Sequence, residues 1–512
     1  MLRKTFLLKM INKSIYLWYN IKRKKLLIYE EINMDKVRTR FAPSPTGFMH
    51  VGNLRSALYA FLFARQNKGS FILRIEDTDM ERYVEGAVEV IYSTLKQSGI
   101  TFDEGPNEGG AYGPYVQSER QDVYLKYAIE LVAKKAAYYC FCDKERLDSL
   151  ADATGIKRYD KHCLSLSEQE VAERLARKDK YVIRQNMPTT GFSEYDDMVF
   201  GHISVPNEEL EDQVLIKSDG MPTYNFANVV DDHLMAITHV IRGNEYLSST
   251  PKYNLLYQAF GWELPKYMHL TPIMKDETRK LSKRHGDANF DDFISKGYLP
   301  EAIVNYIALL GWSPKGTQEK FTMAELIEHF DVKGLSKSSS IFDEAKMKWL
   351  NGEYIKELPF SKFMEIATPF FDQSAIKGMY DYEKFGRLLQ SRIELFSEIP
   401  EKVEFIVHFK KIDQELYTNK KLKIDSEVAK IVLEKINPLL TNMKIWNEDN
   451  LHQIIVQTAE ELAMKSGVVY TVLRIALTAT NVTPGGSVEM ADILGQIESI
   501  RRLQLSLAWL TE

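Results

Sequence analysis

Hydrophobic and polar positions first fall into a regular pattern at residue 37. Val37, Thr39 and Phe41 alternate with Arg38, Arg40 and Ala42, the two-residue period of a β-strand. Pro43, Pro45 and Gly47 then forbid regular structure and predict a tight loop. Leu54, Ala57, Leu58, Phe61 and Leu62 follow at helical spacing, and Gly69 is a C-terminal stop signal. Residues 71–75 read as a second strand, with Glu76 at its C-terminal end. Alternation of strand and helix continues over residues 36–120 and predicts one half of a parallel α/β sheet, whose ligands bind at the carboxyl edge. From about Val123 the pattern turns irregular, through YYCFC at 138–142 and a polar stretch to Lys180. Strand character resumes near Gln213, and Asp219-Gly220 predicts a turn over 218–221. Beyond Gly286 helical periods take over: Ala302, Ile303, Tyr306, Ile307 and Leu310 form one apolar stripe. Amphipathic helices are predicted over 425–436 and 490–503, with turns at Pro438 and at 483–486.

Composition narrows the class. A chain of 512 residues, 45% hydrophobic and 27% charged, predicts several globular domains. No apolar run reaches bilayer length, so no membrane partner is expected. The formal net charge of -5 means that any nucleic-acid partner must be attracted by local basic patches. Three cysteines are too few for a disulfide framework and suit a reducing compartment, hence a cytoplasmic location.

The loop and helix start at 43–53 offer phosphate chemistry. The first turn of a helix presents unpaired N–H groups and a positive dipole end. His50 and Asn53 are three apart and share a face, and Gly52 between them lets a base or ribose approach the backbone. Lys280, Ser282, Lys283, Arg284 and His285 form a second, basic cluster. Each feature alone has a bland explanation, a structural histidine and a solvated loop; their joint presence is what argues for a site.

Here a resemblance becomes plain. HVGN at 50–53 is similar to the HIGH signature of class I aminoacyl-tRNA synthetases, with Asn53 in place of the second histidine, and KLSK at 280–283 is similar to their KMSKS signature. RFAPSPTGFMHVGNLR, FILRIEDTD, IRGNEYLSST and GYLPEAIVNYIALLGWSP resemble the glutamyl-tRNA synthetase family, from Val37 to about Leu503. The resemblance implies a Rossmann-like parallel-sheet α/β catalytic domain split by an acceptor-end-binding insertion, followed by all-helical parts. The implied boundaries are 34–120 and 213–275 for the two catalytic halves, 121–212 for the insertion, 276–364 for the KLSK loop and stem-contact domain, and 365–512 for a helical anticodon-binding domain. Residues 1–33 form a basic extension whose eight lysines and arginines precede the first acid, Glu30. An organellar leader and translation from Met34 compete there, and the family's usual opening at Met34 favours the second.

The resemblance also implies chemistry. His50 and Lys283 would be catalytic, and His50, Gly52, Asn53, Lys280 and Lys283 would hold ATP, bound with Mg2+. Arg40, Ala42, Ser44, Glu76, Tyr224, Asn228 and Arg242 fall on the family's glutamate contacts. A substrate with two carboxylates and one ammonium needs arginine and an acid or carbonyl, which this set contains. Cys140, Cys142 and Cys163 with Tyr159 match a structural zinc site of some members, while Ser165 stands where relatives can have histidine. The implied reaction joins L-glutamate to tRNA(Glu) with ATP, by a monomer. Rival readings are a non-catalytic tRNA-binding paralogue, an enzyme that also charges tRNA(Gln), a small-molecule adenylyltransferase, and a glutaminyl enzyme. The glutaminyl enzyme calls for β-barrels where 429–436 and 451–464 predict helix.

Overall fold

A computed structural model describes residues 36–79, 83–150, 158–281 and 289–511. The extension at 1–33 lies outside them. The chain divides into two compact units: the described residues up to Asp291 together with Val304–Phe342, and Asp292–Ile303 together with the residues from Asp343 onward.

In the first unit, β1 (Arg38–Phe41) and β2 (Ser70–Leu73) pair in parallel, Arg40 opposite Ile72. Helix α1 (Val51–Gln66) crosses between them. Leu54, Ala57, Leu58, Phe61 and Leu62 are all buried, as their spacing predicts, and so are Tyr59, Ala60, Phe63 and Ala64. Burial on every side from Ala57 to Ala64 makes this part of α1 a core helix and not a surface one. Gly69 returns the chain to β2 where it touches β1: a Cβ there would sit 2.0 Å from the Val37 carbonyl oxygen, so only glycine fits.

A four-stranded sheet runs in the order β6 (Gly201–Pro206), β5 (Phe192–Asp197), β9 (Lys266–Leu270), β8 (His239–Gly243). β5, β9 and β8 are mutually parallel, and β5 and β6 form an antiparallel hairpin. Thr238, just before β8, donates its N–H to Arg38 O at 3.0 Å, which carries the sheet on to β1. Strands of this sheet thus begin at β5, ahead of Gln213 where the pattern places their return. β5 reads exposed-buried in strict alternation, so only its pairing with β9 reveals which sheet it joins. A three-stranded sheet, β3 (Ala137–Cys140), β4 (Val182–Gln185) and β7 (Val214–Ile216), lies over regular helices. The stretch beyond Val123, which the sequence pattern leaves irregular, is helix α2 (Gln121–Ala133). Its Tyr124, Ala128 and Leu131 pack with Phe226 and Val230 of α3 (Tyr224–Leu234) and with Tyr253 and Leu256 of α4 (Thr250–Phe260).

The second unit is helical, with one apolar core running from Phe363 through Phe396, Leu433, Leu473 and Leu503. Two expectations fail there. Pro438 marks no turn: the helix Ser426–Thr441 passes through it. Ile436 and Leu440 on either side are buried, and that packing outweighs the lost hydrogen bond, which costs roughly 3 kcal/mol in a helix interior. Residues 490–503 are not one straight helix, because Gly495 breaks Ser487–Thr511 with φ 74° and ψ 169°. Among the described residues no helix is long and apolar enough to cross a membrane.

Candidate active site

The carboxyl edge of β1, β2 and β8 collects side chains from segments far apart in sequence. Pro43 O accepts the Glu76 N–H at 3.0 Å, so the Pro/Gly loop is tied to the acid beyond β2. Ala42 is half-buried and Ser44 is exposed on that loop. His50 caps α1: its Nδ1 accepts the Gly52 N–H at 3.0 Å. A ring nitrogen that accepts carries no proton, so the neutral ring's proton is on Nε2. A Cβ at Gly52 would stand 3.2 Å from the same Nδ1, a second reason for glycine in HVGN. Asn53 is exposed in the first turn beside it.

Behind this edge lies a buried charge network. Arg74, 0% exposed, reaches Glu76 Oε1 at 2.8 Å and Asp232 Oδ1 at 2.8 Å. Arg40 holds the same Asp232, Nε to Oδ1 at 3.1 Å and Nη2 to Oδ2 at 3.3 Å, and donates to Ile241 O. Asp231 is bound by Arg120 at 2.7 Å, Tyr124 at 2.8 Å and Gln117 at 2.9 Å. Burial raises the Asp232 carboxyl, but Arg40 and Arg74 overcome it and hold it below its ordinary value. At Glu76 burial wins against Arg74 and Arg40 and pushes the carboxyl up. Its Oε1 is held by Arg74 and Gln117, while Oε2 is buried without a hydrogen-bond partner. A buried carboxylate oxygen without a donor is costly unless a ligand cation supplies one.

Arg242, 6% exposed at the end of β8, contrasts with Arg40. Its Nε donates to His269 Nε2 at 3.2 Å and its Nη2 to Thr250 Oγ1 at 2.7 Å. The rings of Tyr246, Tyr253 and Tyr267 surround it, with centroids 5.0, 4.7 and 5.5 Å from its Cζ. Among the described residues no carboxylate pairs with it, and its Nη1 has no hydrogen-bond partner. The Tyr224 ring lies tilted against that of Tyr246, 5.5 Å between centroids. Burial and Glu76 push its phenol up while Arg242 pulls it down, which places Tyr224 within electrostatic reach of both charges. Asn228, one turn along α3, is buried and donates Nδ2 to Tyr224 O at 2.8 Å. Arg40, Glu76, Tyr224, Asn228 and Arg242 therefore converge. Lys280 is exposed and bridges to Met274 on a hairpin beyond β10 (Ile273–Met274); Ser282 and Lys283 lie outside the described residues.

Sequence reasoning missed Arg74, Asp231, Asp232 and His269. The available signal was two acids directly after Val229-Val230 in a helical apolar stretch, and a histidine inside the strand YMHL. Neither belongs there without a partner.

Apart from this edge, Cys140, Cys142 and Cys163 place their sulfurs within 4.8 Å of one another. Tyr159 Oη lies 3.2 Å from Cys140 Sγ and 3.5 Å from Cys142 Sγ. Ser165 turns its hydroxyl to His162 O and is exposed, so Tyr159 and not Ser165 faces the thiols. Three thiols and a phenol in one cluster suit a thiophilic tetrahedral ion.

Comparison with known proteins places the arrangement. The family described as tRNA synthetases class I (E and Q), catalytic domain, matches residues 36–349, and the anticodon binding domain family matches 362–507. Glutamate–tRNA ligases of Clostridium acetobutylicum and Clostridium novyi are 54% and 55% identical over 477 and 484 residues, covering 92% and 94% of this chain and 98% and 99% of theirs. The chain belongs to the glutamate–tRNA ligase family. It is an aminoacyl-tRNA synthetase of class I, with a parallel-sheet α/β catalytic domain and a helical anticodon domain. The solved structure of a glutamate tRNA ligase from Elizabethkingia meningosepticum in complex with its amino acid has a TM-score of 0.83 at 33% identity, covering 93% of this chain and 99% of its own. A glutamate-tRNA synthetase from Elizabethkingia anophelis gives 0.84 at 34%, covering 93% and 100%.

Proposed function

We propose that the site described above activates L-glutamate with ATP and passes it to the 3′ end of tRNA(Glu). The substrate's α-carboxylate attacks the α-phosphate of ATP, and pyrophosphate leaves. A ribose hydroxyl of the tRNA then takes the glutamyl group from the adenylate and AMP leaves. The observation that carries this reading is a pair of buried groups in one place whose hydrogen-bonding capacity is only partly used. Glu76 Oε2 has no partner and Arg242 meets no carboxylate. An amino acid with an ammonium at one end and a carboxylate side chain at the other satisfies both. Arg40 is already neutralised by Asp232, so it shapes the pocket more than it supplies charge. Tyr224 and Asn228 close the same wall, and Ala42 and Ser44 line the loop beside it.

Little covalent chemistry is asked of the protein; positioning and charge on the phosphates are the work. The α1 start receives phosphate oxygens at its positive dipole end and at His50 Nε2–H, while Gly52 and Asn53 leave space and a neutral donor. Lys280 and Lys283 would add cations to MgATP. Cys140, Cys142, Cys163 and Tyr159 would hold structural zinc, in an insertion over 121–212 that receives the acceptor end. The residues at 276–364 and 365–512 would contact the stem and the anticodon. The enzyme acts as a cytoplasmic monomer on this reading. Aminoacylation of purified tRNA(Glu) and tRNA(Gln), side by side, by wild type and Lys283→Ala tests it. Wild type charges tRNA(Glu), and the variant loses about 100- to 1000-fold in kcat, the usual loss for one transition-state charge contact. A loss of tenfold or less removes Lys283 from the catalysis, and no glutamyl-tRNA from wild type overturns the reading.

A further inference from the structure

Three adjacent strands each contribute one member of a buried chain that ends on Arg242. In register, Arg242 of β8 stands opposite His269 of β9, and Asp197 of β5 stands opposite Tyr267 of β9. His269 Nδ1 lies 2.7 Å from Asp197 Oδ2, with both side chains 0% exposed, and His269 Nε2 accepts Arg242 Nε–H at 3.2 Å.

The direction of every bond follows from Arg242. A guanidinium only donates, so His269 Nε2 is the unprotonated nitrogen and the ring proton is on Nδ1, pointing at Asp197. Asp197 Oδ1 is committed to the N–H groups of Val199 and Phe200, at 2.9 and 2.8 Å, and Oδ2 takes the His269 N–H as well as the ring. The carboxylate is therefore locked to its own turn and fixes the histidine tautomer. Thr250 fixes the other side of the fork: its hydroxyl donates to Tyr246 O at 2.8 Å and so accepts from Arg242 Nη2. Two acceptors pin Nε and Nη2, and both N–H groups of Nη1, together with the second N–H of Nη2, remain for a ligand.

We propose that Asp197 and His269 are positioning residues for amino-acid specificity, holding the Arg242 fork so that it meets a carboxylate and turns an amide away. This rests on Arg242 reading the substrate, as argued above. If His269 presented Nε2–H instead, two donors would face each other and the fork would turn out of register. A side-chain carboxylate would then lose its aligned partner, and the amide of glutamine would lose the N–H against N–H clash that rejects it.

The test separates His269's two nitrogens in the full-length protein. A glutamine at 269 can place an acceptor where Nε2 was. An asparagine can keep the donor to Asp197 but cannot reach Arg242. KM for glutamate, KM for ATP and the charging of free glutamine are measured by aminoacylation with the tRNA present, with Arg242→Gln alongside. His269→Asn raises the glutamate KM about tenfold, the size of one charge-assisted hydrogen bond, and leaves the ATP KM within about twofold. His269→Gln recovers to within about threefold of wild type, and Asp197→Asn, which favours the wrong tautomer, behaves as His269→Asn. The proposal is overturned if His269→Asn keeps the wild-type glutamate KM, or if it is better tolerated than His269→Gln, as a role confined to bracing the Asp197 turn requires. An unchanged glutamate KM in Arg242→Gln overturns instead the pocket assignment beneath it. Should Asp197→Asn not fold, the two His269 variants decide alone.

Discussion

Arg40 Nε lies 3.1 Å from Asp232 Oδ1, with both side chains almost fully buried. Arg74 meets the same oxygen at 2.8 Å from the next strand. One carboxylate thus pins β1 and the end of β2 to α3, the helix that carries Tyr224 and Asn228. Asp232→Ala leaves two buried guanidinium groups with a shared partner removed. The expected loss is about 3–5 kcal/mol in the unfolding of the first unit, read from chemical denaturation. A loss below about 1 kcal/mol, the range of ordinary surface changes, shows that the network relaxes or takes up water.

Arg40 and Arg242 differ in what they already hold, and substitution separates them. Arg242→Gln removes a buried cation without an acidic partner, so its cost appears on substrate. A drop in kcat/KM for glutamate of about 100-fold is expected, with discrimination against glutamine narrowed. Arg40→Gln leaves Asp232 half-paired, so its cost appears first in stability, and glutamate KM moves less. Steady-state kinetics of both variants with both amino acids check this. Near-native glutamate kinetics in both would mean that the family fold here serves another substrate.

The thiol cluster predicts metal content. Elemental analysis of the purified chain is expected to give about one zinc, the stoichiometry of a single four-ligand site. Replacing Cys140, Cys142 and Cys163 together with serine removes it and loosens β3 against the turn at His162–Ser165 (faster hydrogen exchange there). Metal-free protein with full activity and no chelator sensitivity is the contrary result.

His239, 8% exposed with its ring centroid 4.9 Å from that of Phe63, predicts an acid limb. Burial and nearby Lys266 lower its pKa from 6.5 to about 4. The unfolded chain therefore takes up a proton near pH 6.5 that the folded chain refuses until about pH 4. Stability is fully present above the unfolded value and is lost as pH falls toward the folded one, at up to about 1.4 kcal/mol per pH unit. Between pH 7 and 5 the wild type is expected to lose about 2 kcal/mol more than His239→Phe, which keeps an aromatic ring against Phe63 without the titration. Parallel pH profiles for the two proteins would assign the acid limb elsewhere.

What the sequence determined by itself are the features that local physics dictates. The alternation at 37–42, the Pro/Gly loop and the apolar run of α1 specify strand, turn and core helix through periods that neighbouring residues set alone. Family-matched motifs named Arg40, Glu76, Tyr224, Asn228 and Arg242 and the synthetase class they serve. Tertiary structure decided how those residues share their charge. Arg40 and Arg242 are alike in sequence, yet Asp232 pairs with one, while His269 and Thr250 hold the other, because partners 192 residues apart meet only when α3 packs on the sheet. Pro438 obeys the burial of its neighbours over its own preference. His269 gains its role from a cross-strand register that no local pattern encodes. Local propensity acts over a turn or two of chain, whereas pairing of buried charge is settled by which segments the hydrophobic core brings side by side.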